Sequence, residues 1–373
     1  MSEPGVPDVI VVGGGAVGCA TALELSKRGL AVTLVERDSV GSHASGFAYG
    51  GLYATTGIGI PGPVLGPAKE AVERHADIAR ELKDMTGIDT GFRAAPSIDL
   101  AQDETEMAGL RRDAEWQRCE GFDAEVLSAG EVRSYEGSLS ANVVGGLLQR
   151  SHFEVDSYRY TLALATACEK HGGVLRHGTV ARILERGGRV SGVGFASGDT
   201  LAAGMVVLAD GPWAATGEID GVPKLPIRPM RGEILRLRFP GADFRYRVVG
   251  QGHYVARKPD GLVWAGSTYE DAGFDDRPSK KARDSIMKGV LDLAPVLESA
   301  TIVQHTACLR PVSSDGLPVI GAAGDALGVY VVNGAGKKGI LLSPVMASMV
   351  AGLVMGQPEE APVPSEWSTE RFA

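Results

Sequence analysis

The segment from Asp8 to Glu36 constrains the fold of this chain more than any other stretch. It reads DVIVVGGGAVGCATALELSKRGLAVTLVE. An apolar, β-branched run at 9–12 leads into three consecutive glycines, and a second run of the same kind at 31–35 ends in Glu36. The residues between the two runs carry apolar side chains at helical spacing, and Gly29 is placed to end that helix. The segment therefore predicts a strand, a tight turn, a helix and a second strand, in that order.

The glycines Gly13, Gly15 and Gly18 have the G-x-G-x-x-G spacing. In this motif the first glycine allows the sharp turn, the second lets the backbone approach a pyrophosphate, and the third lets the helix pack closely on the strand. The helix N-terminus offers N–H groups and a positive dipole end to the phosphates. Glu36 follows about twenty residues later, where an acid reaches ribose hydroxyls. The stretch predicts a dinucleotide site, and this motif alone suits NAD and FAD equally.

Length, charge and cysteine spacing limit the class of protein. A chain of 373 residues is long enough for two or three domains. Its net charge of −9 does not suggest a nucleic-acid partner. The four cysteines include no C-x-x-C pair, so they indicate neither a metal site nor a disulfide framework. The N-terminal MSEPGVPD has no basic region before its short apolar run, so no signal peptide is expected and the predicted location is the cytoplasm.

One apolar run approaches the length of a membrane span. Residues 339–356 read GILLSPVMASMVAGLVMG, which is near the lower limit for crossing a bilayer. The run contains Pro344 together with serines and glycines, and it follows directly on a glycine-rich turn. We interpret it as a buried helix and not as a membrane span, with membrane contact as the alternative.

The rest of the pattern predicts alternating helices and strands. Helices are predicted at 63–85, 103–120, 158–171 and 279–297, the third of them capped by Asp156 and Ser157. Strands are predicted at 92–100, 145–148, 205–208 and 328–332. The alternating segments 232–239 and 253–267 are typical of antiparallel strands. Proline-rich residues 223–229 mark a predicted crossing between two domains.

Seven segments together resemble one family along nearly the whole chain. They are VIVVGGGAVGCATALELSKRG, VTLVER, GSHASGFAYGG, VVLADGPWA, HYVARKPDGLVWAGSTYE, LRPVSSDGLPVIG and NGAGKKGILLSP. They are similar to the flavin-dependent D-amino-acid oxidases, glycine oxidases and sarcosine oxidases, with the glycine oxidase branch nearest. The later segments favour FAD over NAD as the cofactor.

The resemblance implies an α/β fold of two domains. A doubly wound, Rossmann-like FAD-binding domain is expected from 1–85, 145–222 and 306–373. A substrate domain with a mixed, mainly antiparallel sheet is expected from 86–144 and 223–305. The N-terminus of the last helix is expected to point at the flavin, where its dipole stabilises the negative charge gained on reduction.

Carried over position by position, the resemblance also implies the residues that contact FAD. These are Gly13, Gly15, Ala16, Val17, Gly18, Glu36, Arg37, Ser42, Ala44, Ser45, Gly50, Gly51, Leu52, Val180, Gly211, Trp213, Gly336, Lys338, Gly339, Ile340 and Leu341.

For the substrate, Arg310 occupies the position of the family's carboxylate-binding arginine. A guanidinium binds a carboxylate through two parallel hydrogen bonds, which orient the substrate as well as attract it. Tyr254 matches a tyrosine that hydrogen-bonds the same carboxylate, and Lys337 falls where glycine oxidases have a second basic residue. The alternatives are a surface salt bridge for the arginine and an edge-strand aromatic for the tyrosine.

Two positions depart from the patterns of the family's branches. Cys308 stands where monomeric sarcosine oxidases link a cysteine covalently to the flavin and where glycine oxidases have glycine. We interpret it as a small buried thiol, with the covalent link as the alternative. Trp264 stands near the place of an oxygen-activating lysine in sarcosine oxidases, so either O₂ or a quinone is a candidate electron acceptor.

The sequence therefore predicts an FAD-dependent amine oxidase or dehydrogenase. Its substrate is a small carboxylate-bearing amine, such as glycine, sarcosine, a D-amino acid or an N-carboxymethyl amine. A homo-oligomer is a candidate assembly. Hydride transfer to flavin N5 yields an imine, which water converts to an oxo acid and an amine. Two alternatives stay open: a flavin-dependent dehydrogenase of 2-hydroxy acids or glycerol phosphate, and a flavoprotein subunit without turnover.

Overall fold

Helices and strands alternate along the described residues, 5–241 and 244–372, of a computed structural model. The expectation that there is no signal peptide depends in part on residues 1–4. These residues lie outside the described ones. The helices are α1 (Ala16–Lys27), α2 (Ala44–Phe47), α3 (Leu65–Thr86), α4 (Glu104–Cys119), α5 (Ala129–Tyr135), α6 (Ser157–Lys170), α7 (Lys280–Leu293) and α8 (Gly339–Val354).

The strands of the described residues run from two to thirteen residues in length. They are β1 (Val9–Val12), β2 (Val32–Glu36), β3 (Gly51–Leu52), β4 (Arg93–Ala94), β5 (Ser97–Ala101), β6 (Ala124–Ser128), β7 (Gly145–Gln149), β8 (Phe153–Glu154), β9 (Val174–His177), β10 (Val180–Arg186), β11 (Arg189–Phe195), β12 (Thr200–Ala202), β13 (Met205–Leu208), β14 (Ile227–Arg238), β15 (Arg247–Gly250), β16 (His253–Arg257), β17 (Val263–Gly266), β18 (Glu270–Asp271), β19 (Thr301–Ser313), β20 (Val319–Ala322) and β21 (Val329–Asn333).

The first of two compact units is built on a parallel sheet. It comprises the described residues within 5–92, 155–230 and 309–372. Its six strands lie in the order β20-β21-β13-β1-β2-β9, and only the β20–β21 pair is antiparallel. The chain proceeds from β1 through β2 to one edge and then returns to β13 on the other side of β1. The order of the strands therefore reverses beside β1, which is the feature of a doubly wound sheet.

Both faces of this parallel sheet are covered, which explains why β1 is apolar at every position. Ile10 and Val206 pack with Val193 and Phe195 of the small antiparallel sheet β10-β11-β12. The helices α1, α3, α6 and α8 of the same unit pack against one another. Continuous apolar runs are typical of parallel strands that are buried on both sides.

The second unit is built on a mainly antiparallel sheet. It comprises 93–154 and the described residues of 231–308. Its main path runs β18-β14-β17-β16-β15-β5-β7-β6, in which β15 and β5 are parallel. One row of cross-strand neighbours, Ile98, Val248, Val255, Ala265 and Leu235, lies on a face that is packed in a core with side chains of α7. Because neighbouring residues of a strand face opposite sides, the residues between these positions lie on the other face.

The structure confirms that the chain contains a unit with a parallel sheet and a unit with a mainly antiparallel sheet, as predicted. Residues 145–154, which the sequence analysis grouped with the FAD-binding segments, lie in the second unit. The reason is that β7 pairs with both β5 and β6. Strand pairing between distant segments is not visible in the sequence of 145–149 alone.

Helix α8 is a core helix with an internal proline. By length and composition, Gly336–Val354 is apolar enough to cross a membrane, yet 78% of its apolar window is buried inside the protein. Pro344 has no N–H, so the carbonyl of Ile340 loses its usual helical donor. His75 Nε2 lies 3.2 Å from that carbonyl oxygen and 3.0 Å from that of Leu341, and Ser343 Oγ donates to Ile340 at 2.9 Å. The histidine and serine side chains thus replace the bond that the proline removes.

The buried histidine makes this helix sensitive to acid. Burial lowers the pKa of His75 to about 4, whereas an unfolded histidine has a pKa of about 6.5. The unfolded state therefore takes up the proton first, so stability is fully present above pH 6.5 and falls as the pH drops toward 4, by up to about 3 kcal/mol. We expect His75→Gln, which keeps an N–H donor, to remove this dependence. Urea unfolding of both proteins between pH 7 and pH 4 measures the difference.

A matched control separates this effect from general acid sensitivity. His171 is exposed at the end of α6, so His171→Gln should keep the wild-type pH profile of the unfolding free energy. Parallel profiles for wild type and His75→Gln would contradict the assignment.

Candidate cofactor and substrate site

The glycine turn lies at the edge of the parallel sheet where three neighbouring strands end. Val12, the last residue of β1, is in register with Val35 on β2 and with Leu208 on β13. Glu36 and the segment after Leu208 therefore flank the turn from opposite sides. Ligands of open α/β sheets bind at this edge, in the crevice where the strand order reverses.

Gly13 and Gly18 both occupy positions that exclude a side chain. Gly13 has a φ of 112°, and a Cβ there would clash with the carbonyl oxygen of Ala209. A Cβ on Gly18 would clash with the carbonyl oxygen of Gly13. The first glycine thus brings the turn against β13, and the second brings α1 against the turn. These are the two close approaches that a dinucleotide cradle needs.

The carboxylate of Glu36 is held in place by backbone donors. Oε2 accepts a hydrogen bond from the N–H of Gly14 at 2.6 Å, and Oε1 accepts one from Asp38 at 2.8 Å. A carboxylate has about four acceptor positions in all. It can therefore accept hydrogen bonds from ribose hydroxyls in addition to these two. The bond from Gly14 also links the acid directly to the glycine turn.

Ser45 lies at the N-terminal end of α1, and Ser42 follows Gly41, whose N–H donates to the carbonyl of Gly14 in the glycine turn at 3.0 Å. Ser45 Oγ accepts a hydrogen bond from the N–H of Ala16 at 2.9 Å. Among the described residues, the buried Oγ of Ser42 has no hydrogen-bond partner. A buried hydroxyl without a partner is costly, and a phosphate oxygen beside the helix N-terminus would satisfy it. The residues present therefore fit the pyrophosphate of FAD.

Charged and aromatic side chains from the segment after Glu36 form a cluster with Trp213. The guanidinium of Arg37 lies 3.8 Å from the ring centroid of Trp213, and the ring of His43 meets the same indole at 4.7 Å. Asp38 accepts from Arg37 at 3.1 Å and lies 2.8 Å from His43 Nε2. The hydrogen bond from His43 is the main cause that lowers the pKa of Asp38. This cluster fixes Trp213 and Arg37, both predicted to lie at the cofactor, in contact with each other.

The start of α8 lies beside the strand that carries Arg310. Arg310 is half-buried on β19, and Val312, two residues on, forms an antiparallel bridge with Ala335. The segment after Ala335 contains the exposed Lys337 and leads directly into α8. The bridge therefore brings the arginine strand, a second cation and the positive end of a helix dipole into one neighbourhood of the first unit.

The other residues predicted near the flavin differ in their surroundings. Lys338 donates from Nζ to the carbonyl of Tyr53 at 2.5 Å, which ties the start of α8 to the segment after β3. Gly51 and Leu52 form β3, Gly50 precedes it, and Val180 is buried at the start of β10. The predicted FAD contacts of all these residues stay predictions.

Tyr254 and Cys308 lie in the second unit. Tyr254 is 7% exposed and stands on the sheet face opposite the α7 core, with the guanidinium of Arg247 at 5.1 Å from its ring. Cys308 is a buried thiol on β19, and its relation to the flavin stays a prediction. Trp264 lies under the guanidinium of Arg236 at 4.0 Å and donates from Nε1 to Asp260 at 2.9 Å.

Two histidines of the second unit have structural partners. His152 Nδ1 lies 2.9 Å from Ser97 Oγ, and His305 Nε2 lies 2.7 Å from the buried Glu233. Glu233 also accepts from Ser279, which caps α7. This network holds α7 on the sheet of the second unit, so His305 acts in packing this helix.

Sequence reasoning missed Asp210 and Asn333. Asp210 follows β13, and Asn333 ends β21, the next parallel strand. Asn333 Nδ2 donates to Asp210 Oδ1 at 3.1 Å. A polar residue directly after a buried strand was the available signal, but the place of Asp210 beside the glycine turn also depends on which strand β13 pairs with.

The comparisons with known proteins agree with this geometry. The sequence model of the DAO family, described as FAD dependent oxidoreductase, matches residues 8–353. Glycine oxidase from Geobacillus kaustophilus is 32% identical over 351 residues, which cover 93% of this chain and 92% of that protein. A solved structure of glycine oxidase from the same species has a TM-score of 0.88 at 31% identity, covering 94% of this chain and 95% of that one.

A further solved structure shows a likeness in fold. Iminodiacetate oxidase from Chelativorans sp. BNC1 has a TM-score of 0.87 at 23% identity, covering 96% of this chain and 98% of that one. The family model spans most of the chain, and the resemblance inferred from the motifs is confirmed. The protein belongs to the DAO family and is an FAD-dependent oxidoreductase.

Proposed function

We propose that this enzyme oxidises the C–N bond of a small glycine-like amine that carries a carboxylate. The observation that carries the proposal is the position of Arg310, on a strand bridged to the segment that opens α8. The glycine oxidases among its relatives, and the iminodiacetate oxidase that shares its fold, are named for substrates of this kind.

Arg310 supplies recognition of the carboxylate. Its guanidinium can bind both carboxylate oxygens in parallel, and a half-buried setting strengthens such bonds relative to full exposure to water. The exposed Lys337 adds charge without a fixed geometry, because an ammonium is a point donor on a flexible stem. We therefore assign orientation of the substrate to Arg310 and a weaker, attractive role to Lys337.

Tyr254 offers a phenolic hydroxyl as a further hydrogen-bond donor to the carboxylate. The packing of Arg247 against its ring restrains the aromatic side chain. The amine has to be bound in its neutral form, because the lone pair on nitrogen stabilises the positive charge that develops as hydride leaves the α-carbon. FAD, when bound, supplies the two-electron acceptor for that hydride. Water then hydrolyses the released imine to an oxo acid and an amine.

The cofactor contacts follow from the cradle. We propose that the turn from Gly13 to Gly18 and Ser42 hold the pyrophosphate, and that Glu36 binds the adenosine ribose. Arg37 and Trp213 form a stacked pair next to them. The electron acceptor that follows is O₂ or a quinone, and the proposed place of turnover is the cytoplasm.

Product analysis tests this proposal. Purified enzyme with an artificial electron acceptor is incubated with glycine, sarcosine, iminodiacetate or a D-amino acid, and in parallel with glycolate or glycerol 3-phosphate. We expect at least one amine to give its oxo acid and the released amine in equal amounts. Products from a hydroxy acid or from glycerol phosphate alone would assign the enzyme to C–OH oxidation and overturn the proposal.

A further inference from the structure

Asp210 is an acid that lies beside the glycine turn predicted to hold the pyrophosphate. Leu208 is in register with Val12, the residue before the glycine turn. Asp210 follows Leu208 by two residues and therefore lies level with that turn. Its backbone nitrogen lies 3.2 Å from the position that a Cβ on Gly13 would take. Glu36 flanks the turn on the β2 side and Asp210 flanks it on the β13 side. The β13 side is where the strand order reverses, which is the side at which dinucleotides bind.

The surroundings of Asp210 favour a neutral carboxyl group. A small cleft beside it is lined largely by apolar side chains, among them Leu208, Ile219 and Val222. Burial raises the pKa of Asp210 to about 7, against the opposing effects of a hydrogen bond from its own backbone N–H, the hydrogen bond from Asn333 and the charge of Arg37. A bound pyrophosphate adds negative charge nearby, which disfavours the ionised carboxylate further.

The hydrogen bonds decide where the proton of the neutral acid lies. Asn333 donates to Oδ1 of Asp210, and the same amide group also donates to the carbonyl of Gly211 at 2.9 Å. Oδ1 is thus an acceptor, so we assign the proton of the neutral acid to Oδ2. A carboxylic acid that is kept neutral can donate a hydrogen bond, whereas a carboxylate can only accept.

We propose that Asp210 contacts bound FAD as a neutral carboxylic acid, donating a hydrogen bond from Oδ2 to the cofactor, so that FAD binding takes up a proton. The proposal concerns the cofactor alone and holds whichever amine the enzyme oxidises. Of the charged groups nearby, Glu36 already accepts two backbone N–H groups, Arg37 stacks on Trp213, and Glu218 lines the same small cleft as Asp210. His43 and Asp38 pair with each other beside Trp213.

The first test is the dissociation constant of FAD from the FAD-free protein, measured by fluorescence quenching. For wild type we expect the dissociation constant to rise about 25-fold between pH 6.5 and pH 8.5, because the acid must be reprotonated on binding. Asp210→Asn keeps an N–H donor and loses the titration, so its dissociation constant should change less than about twofold over the same range.

Two control variants isolate Asp210 from the other titratable groups. Glu218→Gln removes an exposed carboxylate from the same cleft, and His43→Asn removes the histidine beside Trp213. Both should keep the wild-type pH slope. A flat wild-type profile, or an Asp210→Asn profile as steep as that of wild type, would overturn the proposal.

A second measurement needs no variant. Calorimetric titration of wild-type protein with FAD, in buffers that differ in protonation enthalpy, counts the protons exchanged on binding. We expect uptake of about 0.9 proton at pH 8 and about 0.1 at pH 6. Proton release, or no exchange at pH 8, would show that Asp210 stays ionised and would refute the inference.

Discussion

Replacing Arg310 with lysine is expected to lower kcat/KM for the carboxylate-bearing amine by about 10²- to 10³-fold, or about 3–4 kcal/mol. Lysine keeps the charge and loses the two parallel hydrogen bonds, so the substrate is attracted without being oriented. The half-buried setting of Arg310 on β19 magnifies the loss, because a short side chain leaves part of the guanidinium space empty. Steady-state kinetics of the FAD-loaded variant measures the effect.

The neighbouring cation provides the comparison for this variant. Lys337 is exposed, so Lys337→Gln should cost less than about tenfold in kcat/KM. The visible flavin spectrum should be the same in both variants, since neither side chain is assigned to cofactor binding by geometry. If Arg310→Lys retained kcat/KM within about threefold of wild type, the assignment of the carboxylate to Arg310 would be wrong.

Replacing Gly18 with leucine is expected to abolish FAD binding, with a dissociation constant raised more than about 10³-fold. A Cβ at this position would clash with the carbonyl oxygen of Gly13, so α1 has to move away from the turn. The helix N-terminus and its N–H groups then leave the pyrophosphate position. The variant should purify colourless, and added FAD should not restore the visible spectrum.

A control variant at a second glycine, Gly29, distinguishes loss of the FAD-binding turn from a general loss of stability. Gly29 follows α1 with a φ of 88°, and a Cβ there meets no atom within 4 Å. Gly29→Ala should therefore cost about 1 kcal/mol of stability through backbone strain and leave FAD affinity unchanged. A yellow Gly18→Leu protein with wild-type affinity would contradict the role of the turn.

The cradle could be predicted because its determinants are local. The turn, α1 and β2 follow one another within 29 residues, from Asp8 to Glu36, and Gly29 ends the helix region as expected. The N-cap of α6 at Asp156 was also predicted and is confirmed by its hydrogen bond from Arg159. In each case the residues that decide the structure are neighbours in the sequence.

Some local signals were present and were overlooked. The predicted strand at 92–100 is interrupted at Pro96, and the predicted helix at 279–297 ends at Leu293, just before Pro295. The short helix α5 was not predicted, although Ser128 and Glu131 form a capping box at its start. These errors follow from known effects of proline and of capping residues.

Other features depend on contacts between distant segments. The hydrogen bond from His75 to the proline-containing helix α8 could be predicted only if the packing of α3 on α8 were known. Asp210 acquires its place in the crevice only because β13 pairs with β1, almost 200 positions earlier in the chain. The local sequence pattern indicates neither contact. From that pattern alone, His75 is an ordinary histidine of a helix and Asp210 is an ordinary acid of a loop.

Anaerobic reduction of the bound flavin tests oxidation of the C–N bond directly, because it needs no electron acceptor. FAD-loaded wild-type enzyme is mixed without oxygen with glycine, sarcosine, iminodiacetate and a D-amino acid, and separately with glycolate and glycerol 3-phosphate. We expect a carboxylate-bearing amine to bleach the visible flavin band and the hydroxy compounds to leave it unchanged. Bleaching by a hydroxy compound alone, or by nothing in the panel, would contradict it.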